Sequence, residues 1–266
     1  MAKQEDEQAA ASSAPHEERM TIFEHLAELR TRLIRAVLAV FAGGVICWIL
    51  YDPILDFLLR PYCDIGEDGC ALLATDPLEG LKTRFTIALY GGIALAMPVL
   101  LWQIWRFIMP GLYPNERRLA IPFVGSALTL FVLGAGLAYY TLPKALQFLQ
   151  DIGGTDIENI YAPSKYLSLI TYMMLAFGIG FEFPIVLIFL QLVGLVTPQK
   201  LASWRRYAIV GIVVLVAVIT PSGDPYSLAL LSVPMYIFYE GSILFGKVLQ
   251  RRRQRNDDDI VEASEA

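Results

Sequence analysis

The chain has 266 residues, 56% of them hydrophobic and 18% charged, with a mean hydropathy of +0.51. That is too apolar for a soluble domain of this length and reads as a polytopic membrane protein. The formal net charge of −5 resides in particular loops and gives no reason to expect nucleic acid. The two histidines, His16 and His25, are too few for a metal site, and no P-loop, HExxH or GxSxG motif supports an enzyme or a cofactor.

Residues 1–20 are polar and rich in Glu, Ala and Ser, without the pattern of a cleaved signal, so they read as a disordered cytoplasmic tail. Thr21-Ile22-Phe23-Glu24 fits a capping box, in which each side chain satisfies a free N–H at a helix start. Ile22, Leu26, Leu29 and Leu33 share one face of that helix, whereas Glu24, Glu28, Arg32 and Arg35 lie towards others, so its first turns are amphipathic. The apolar run from Ala36 to Tyr51 makes span one. Asp52-Pro53 and Asp76-Pro77 each offer an N-cap followed by proline at the first helical position. Between them come a short amphipathic helix carrying Ile54, Leu55, Leu58 and Leu59, then a loop from Cys63 to Cys70. A Cys63–Cys70 disulfide is open to this loop if it faces an oxidising compartment; otherwise both thiols stay reduced.

Span two runs from Pro77 to Ile108, roughly 48 Å of helix against a hydrocarbon core of ~30 Å. Span three is Leu119–Leu142, and span four occupies Tyr166–Leu195 with Glu182 as its only ionisable side chain. A lone acid inside a span is costly and should face protein or water rather than lipid. Span five, Tyr207–Thr220, is short for an average bilayer, and span six, Tyr226–Phe245, holds a second acid, Glu240. Pro98, Pro122, Pro184 and Pro234 predict kinks in four of the spans and together a curved, concave wall. Of the 21 Lys and Arg, 16 fall on the side of both chain ends and five on the other. This bias places both termini in the cytoplasm with six spans between them. The expected organisation is an all-α, six-span membrane domain over residues 21–249 and a charged cytoplasmic tail over 250–266. Trp102, Trp105, Phe107 and Tyr113 gather at the cytoplasmic end of span two, where aromatic residues commonly form an interfacial belt.

Three stretches resemble one family, TatC, the multispanning receptor of the twin-arginine protein translocase. They are His25-Leu26-Ala27-Glu28-Leu29-Arg30-Thr31-Arg32-Leu33, the run from Pro98 through Trp102-Gln103-Ile104-Trp105-Arg106-Phe107 to Arg118, and Ala176-Phe177-Gly178-Ile179-Gly180-Phe181-Glu182-Phe183-Pro184. The resemblance extends from about Thr21 to Gly246. It implies a multi-pass component of the bacterial cytoplasmic (inner) membrane that recognises folded cargo carrying an Arg-Arg signal peptide. It further implies assembly with single-span TatA- and TatB-type partners in an oligomeric receptor complex. The family's two signal-binding acids match Glu28 and Glu116, and a planar guanidinium pairs bidentately with such carboxylates. The bland alternative is that each acid pairs with a neighbouring arginine, Glu28 with Arg32 one turn on. Phe107 is the aromatic residue open to the apolar part of a signal. Thr220, Asp224 and Ser227, near the outer ends of spans five and six, match the region where the family docks partner helices, although a glutamine common there is not evident beside Ser227 and Leu228. Glu182 is then expected to be a polar lining that perturbs local hydration. The rival reading is an ion-coupled secondary transporter of a small solute built on Glu182.

Overall fold

The computed structural model describes residues 22–63, 72–74, 76–108, 120–153, 162–220 and 224–265. Nine α-helices follow one another in these residues: α1 Ile22–Ile49, α2 Tyr51–Cys63, α3 Glu79–Ile108, α4 Ala120–Gly153, α5 Pro163–Gly180, α6 Phe183–Leu192, α7 Pro198–Ser203, α8 Arg205–Ile219 and α9 Pro225–Glu265. Thr21, the expected cap of α1, lies outside the described residues. Among the described residues, five segments are long and apolar enough to cross a membrane: Leu26–Ile49, Glu79–Phe107, Ile121–Ile152, Pro163–Leu192 and Pro225–Arg251. Expected span five corresponds to α8, whose 15 residues give about 22 Å of helix, short of the ~30 Å core.

The core is centred on α5. Tyr166, Leu167, Ile170, Met173 and Phe177 are fully buried, with α5 packed on α3 and α4, and Leu231, Met235 and Ile243 of α9, which packs on α4, α6 and α8, belong to the same core. The edges of the bundle are α1, which leans chiefly on α3, and α8, which buries only Ile212 and Val216. The contact of α1 with α3 is glycine-made. A Cβ on Gly92 would lie 2.6 Å from the backbone nitrogen of Gly44, and one on Gly43 would lie 2.7 Å from the carbonyl oxygen of Gly92. Where lipid offers no hydrophobic drive for association, such backbone proximity supplies the dispersion contact that holds two helices together.

The four prolines expected to kink the spans sit differently in the helices. Pro98 and Pro234 sit inside the continuous helices α3 and α9, and Pro122 lies in the first turn of α4, where its missing N–H would have had no helical partner anyway. Pro184 alone among the four interrupts a helix. The Glu182 N–H bonds to the Ile179 oxygen three residues back at 3.0 Å, a tightened turn that divides α5 from α6. Expected span three stops at Leu142, yet α4 continues through Pro143 to Gly153. Ala138, Leu142, Ala145 and Leu146 form one buried stripe across the proline, so packing outweighs one lost hydrogen bond. The residues expected as a terminal tail from 250 continue the helix α9 to Glu265, while residues 1–20 lie outside the described residues.

α2 is strapped to the bundle at the end away from Glu28. The Tyr166 hydroxyl donates to the Leu58 oxygen at 2.7 Å, the Tyr139 hydroxyl to the Phe57 oxygen at 2.9 Å, and the Phe57 and Tyr139 rings stack at 4.5 Å. The Ser164 N–H donates to the Glu79 carboxylate at 2.7 Å, tying α5 to the start of α3. Asp76 accepts from Lys82 and from the Leu78 N–H, and these hold its carboxyl below the ordinary range. Cys47 is a free, buried thiol, Cys63 is disulfide-bonded, and Cys70 lies outside the described residues.

Candidate functional site

The first turns of α1 and the last turns of α3 meet around Arg32. Its side chain pairs with Glu28 one turn earlier, donates to the Gln103 oxygen of α3 at 3.3 Å and lies over the Phe107 ring at 5.7 Å. Arg32 is 8% exposed, whereas the Glu28 side chain keeps 26% of its surface open. The arginine therefore acts as a bracket: it brings Glu28 and Phe107, 79 positions apart in the numbering, to one place and fixes the carboxylate in orientation. A carboxylate has about four lone-pair positions, so pairing with Arg32 does not by itself exhaust what a carboxylate can accept. The ion pair expected as the bland alternative is present, and it is compatible with a binding role. Glu116 and Tyr113 lie outside the described residues.

Trp105 departs from the expected belt. It is 2% exposed and its ring sits 4.2 Å from Phe123, with Phe189 and Val193 around it. α3 turns it inward against α4 and α6, whereas Trp102, one turn earlier and about 60° away around the helix, is 39% exposed. It thus forms the apolar floor behind Gln103 and Phe107 rather than a membrane anchor.

The two intramembrane acids are in different settings. Glu182 occupies the tightened turn ahead of Pro184, and its Oε1 is buried without a hydrogen-bond partner among the described residues. Its neighbour Phe181 meets Phe238 of α9 edge-on at 5.4 Å. Glu240 is no lone acid: Arg205, at the start of α8, donates to it twice, at 2.7 and 2.8 Å, and the Tyr236 hydroxyl donates at 3.1 Å. The pair joins α8 to α9 and is partly open, which explains why a carboxylate is tolerated there. Its partner lies 35 residues earlier, too far for a helical spacing rule to find.

Thr220, Asp224 and Ser227 are 2%, 0% and 0% exposed. Asp224 accepts from the Ser227 N–H at 2.6 Å and so starts α9, and Thr220 ends α8. These side chains shape the α8–α9 corner from inside it. The surface beside them is α8 itself, where Val210, Val214 and Val218 are exposed at one-turn intervals.

The family model for the Sec-independent protein translocase protein TatC matches residues 24–234. The chain belongs to the TatC family. Among named TatC proteins it is 39% identical to that of Frankia casuarinae, over 90% of this chain and 69% of that relative. It is 38% identical to the TatC of Aquifex aeolicus, over 88% of this chain and 98% of that one. Two crystal structures of the twin arginine translocase receptor TatC, one of them in DDM, superpose with TM-scores of 0.71 and 0.72 at 39% identity. They cover 85% and 84% of this chain and 99% of theirs. The matched span takes in the Arg32 bracket, the Pro184 break and Arg205, and ends six residues before Glu240.

Proposed function

We propose that this TatC-family chain is the receptor component of a twin-arginine translocase: it binds Arg-Arg signal peptides at its cytoplasmic face through Glu28 and Glu116, with Phe107 against the apolar part of the signal. With TatA- and TatB-type single-span partners it then exports folded proteins. The observation that carries this reading is the convergence of Glu28 and Phe107 on Arg32 at one end of α1 and α3. Family membership supplies the transport class, and the role is that of a protein-translocase component rather than an enzyme.

In this reading α8 is a sixth, short crossing, matched by local thinning of the bilayer, and the wall is concave. Both termini face the cytoplasm of a bacterial inner membrane, as the 16-to-five division of Lys and Arg supports. A phosphatase fused after Ala266 should then be inactive and a fluorescent protein there bright; the reverse would overturn the orientation. Cys63 takes Cys70 as its disulfide partner on the opposite side. TatA- or TatB-type helices dock along the exposed valine face of α8, with Thr220, Asp224 and Ser227 holding the corner behind it.

The carrier alternative built on Glu182 loses ground because the chain matches the TatC family over residues 24–234. Export decides between them: in a strain lacking its own TatC, this gene should restore export of a folded reporter bearing an Arg-Arg signal, and proton-driven uptake of a small solute without export would favour the carrier. In the same strain Glu182→Leu should export less while accumulating to the normal level, because a buried carboxyl at a helix break gives polarity to an otherwise apolar wall. Full export would show that carboxyl to be dispensable.

A further inference from the structure

The same glycine crossing that joins α1 to α3 leaves an open apolar groove of about 730 Å³ along their outer side. Val37, Phe41 and Val45 of α1 and Phe85, Leu89 and Ile93 of α3 form its walls. At one end it closes on Trp48, and there Arg84 lies with its guanidinium 5.9 Å from the Trp48 ring and 4.5 Å from the Tyr51 ring. Among the described residues no carboxylate lies within ion-pairing distance of Arg84, although Asp52 is one residue beyond Tyr51. The cation is therefore oriented by two aromatic faces and neutralised by neither, at the depth where Trp and Tyr mark the edge of a bilayer.

We propose that this groove is a binding site for one anionic diacyl phospholipid, its phosphate on Arg84 and an acyl chain along the α1–α3 cleft. The charge selects the occupant. An apolar helix in the same groove would bring no anion to Arg84, whereas a lipid phosphate offers a planar guanidinium two oxygens at once. The length agrees: Leu33 to Trp48 spans about 22 Å of helix, more than the ~15 Å half-thickness of the core that one chain must fill. A bound chain thus takes the Arg84 end of the groove, between Val37 and Trp48 on α1, about 16 Å of helix. This site is separate from the Arg32 bracket and does not depend on the signal-peptide reading.

The test uses the full chain in nanodiscs of equal phosphatidylglycerol and phosphatidylcholine, transferred to detergent and weighed intact by native mass spectrometry. One phosphatidylglycerol should remain bound, favoured over phosphatidylcholine by about fivefold. Arg84→Gln should remove that preference and Arg84→Lys should keep part of it, with the elution profile of the protein unchanged in both. Leu89→Trp, which fills the groove and leaves the cation in place, should lower retention of either lipid. Equal retention of both lipids by the unaltered chain, or an unchanged preference in Arg84→Gln, would overturn the site. Displacement of the lipid by glycerol phosphate alone would show a headgroup contact without the groove, and would also overturn it.

Discussion

Replacing Glu28 and Glu116 together by Gln should weaken capture of an Arg-Arg signal peptide by about 100-fold or more, since each charge-assisted contact contributes about 1.5–3 kcal/mol and each 1.4 kcal/mol is a factor of ten. The two single variants should not be equal. Glu28 is the counter-charge of Arg32, which is 8% exposed. Glu28→Gln therefore removes an attraction for the incoming guanidinium and also leaves a nearly buried cation facing it. The single Glu28 variant should lose more than the lone contact is worth, and its loss should shrink as salt screens the unbalanced Arg32. Capture is measured by pull-down with a synthetic signal peptide and with a twin-lysine version as the reference. Lysine has no planar fork, so the reference should bind the unaltered chain weakly. Undiminished capture by the double variant would sink the assignment of these two acids.

Gly92→Val should separate α1 from α3 and cost both stability and signal capture. A Cβ at this position meets backbone on the far side, the Gly44 nitrogen at 2.6 Å and the Val40 oxygen at 3.0 Å, so no side-chain rotation can relieve it. Overpacking of this kind costs about 1–3 kcal/mol even where neighbours can yield. The consequence reaches the site because Arg32 spans the same two helices, through the Gln103 oxygen at 3.3 Å and the Phe107 ring at 5.7 Å. A thermal midpoint in detergent lowered by several degrees, together with weaker peptide capture, is the expected result. Gly80→Ala in α3, where a Cβ meets nothing within 4 Å, should leave both unchanged. A Gly92→Val protein with an unaltered midpoint would mean that the close crossing does not hold these helices together.

Part of the candidate site is legible without any structure. Glu28 and Arg32 are one helical turn apart, and a four-residue spacing on an amphipathic helix brings such side chains together by itself. Phe107 was open to a signal-binding role only through its place in the family's motif. Its nearness to Arg32 comes from the α1–α3 crossing, which no spacing within one helix encodes. The same holds for Glu240. Along the sequence it is an acid in an apolar span, and only the packing of α8 on α9 brings Arg205 to it.

What the chain determines by itself are its local properties: the apolar runs, the turn that Asp76 caps ahead of α3, the break at Pro184 and the asymmetry of positive charge. These depend on neighbours within a few residues, so they survive without knowledge of the fold. The expected cap at Asp52, by contrast, falls inside α2, which already begins at Tyr51. Tertiary structure alone decided that α4 runs on through Pro143, that Trp105 is a buried floor and that Thr220, Asp224 and Ser227 face inward. Each of these is settled by which side of a helix meets another helix. In a bilayer, where both lipid and protein neighbours are apolar, hydropathy cannot tell those two sides apart, and the backbone contacts at Gly43, Gly44 and Gly92 do.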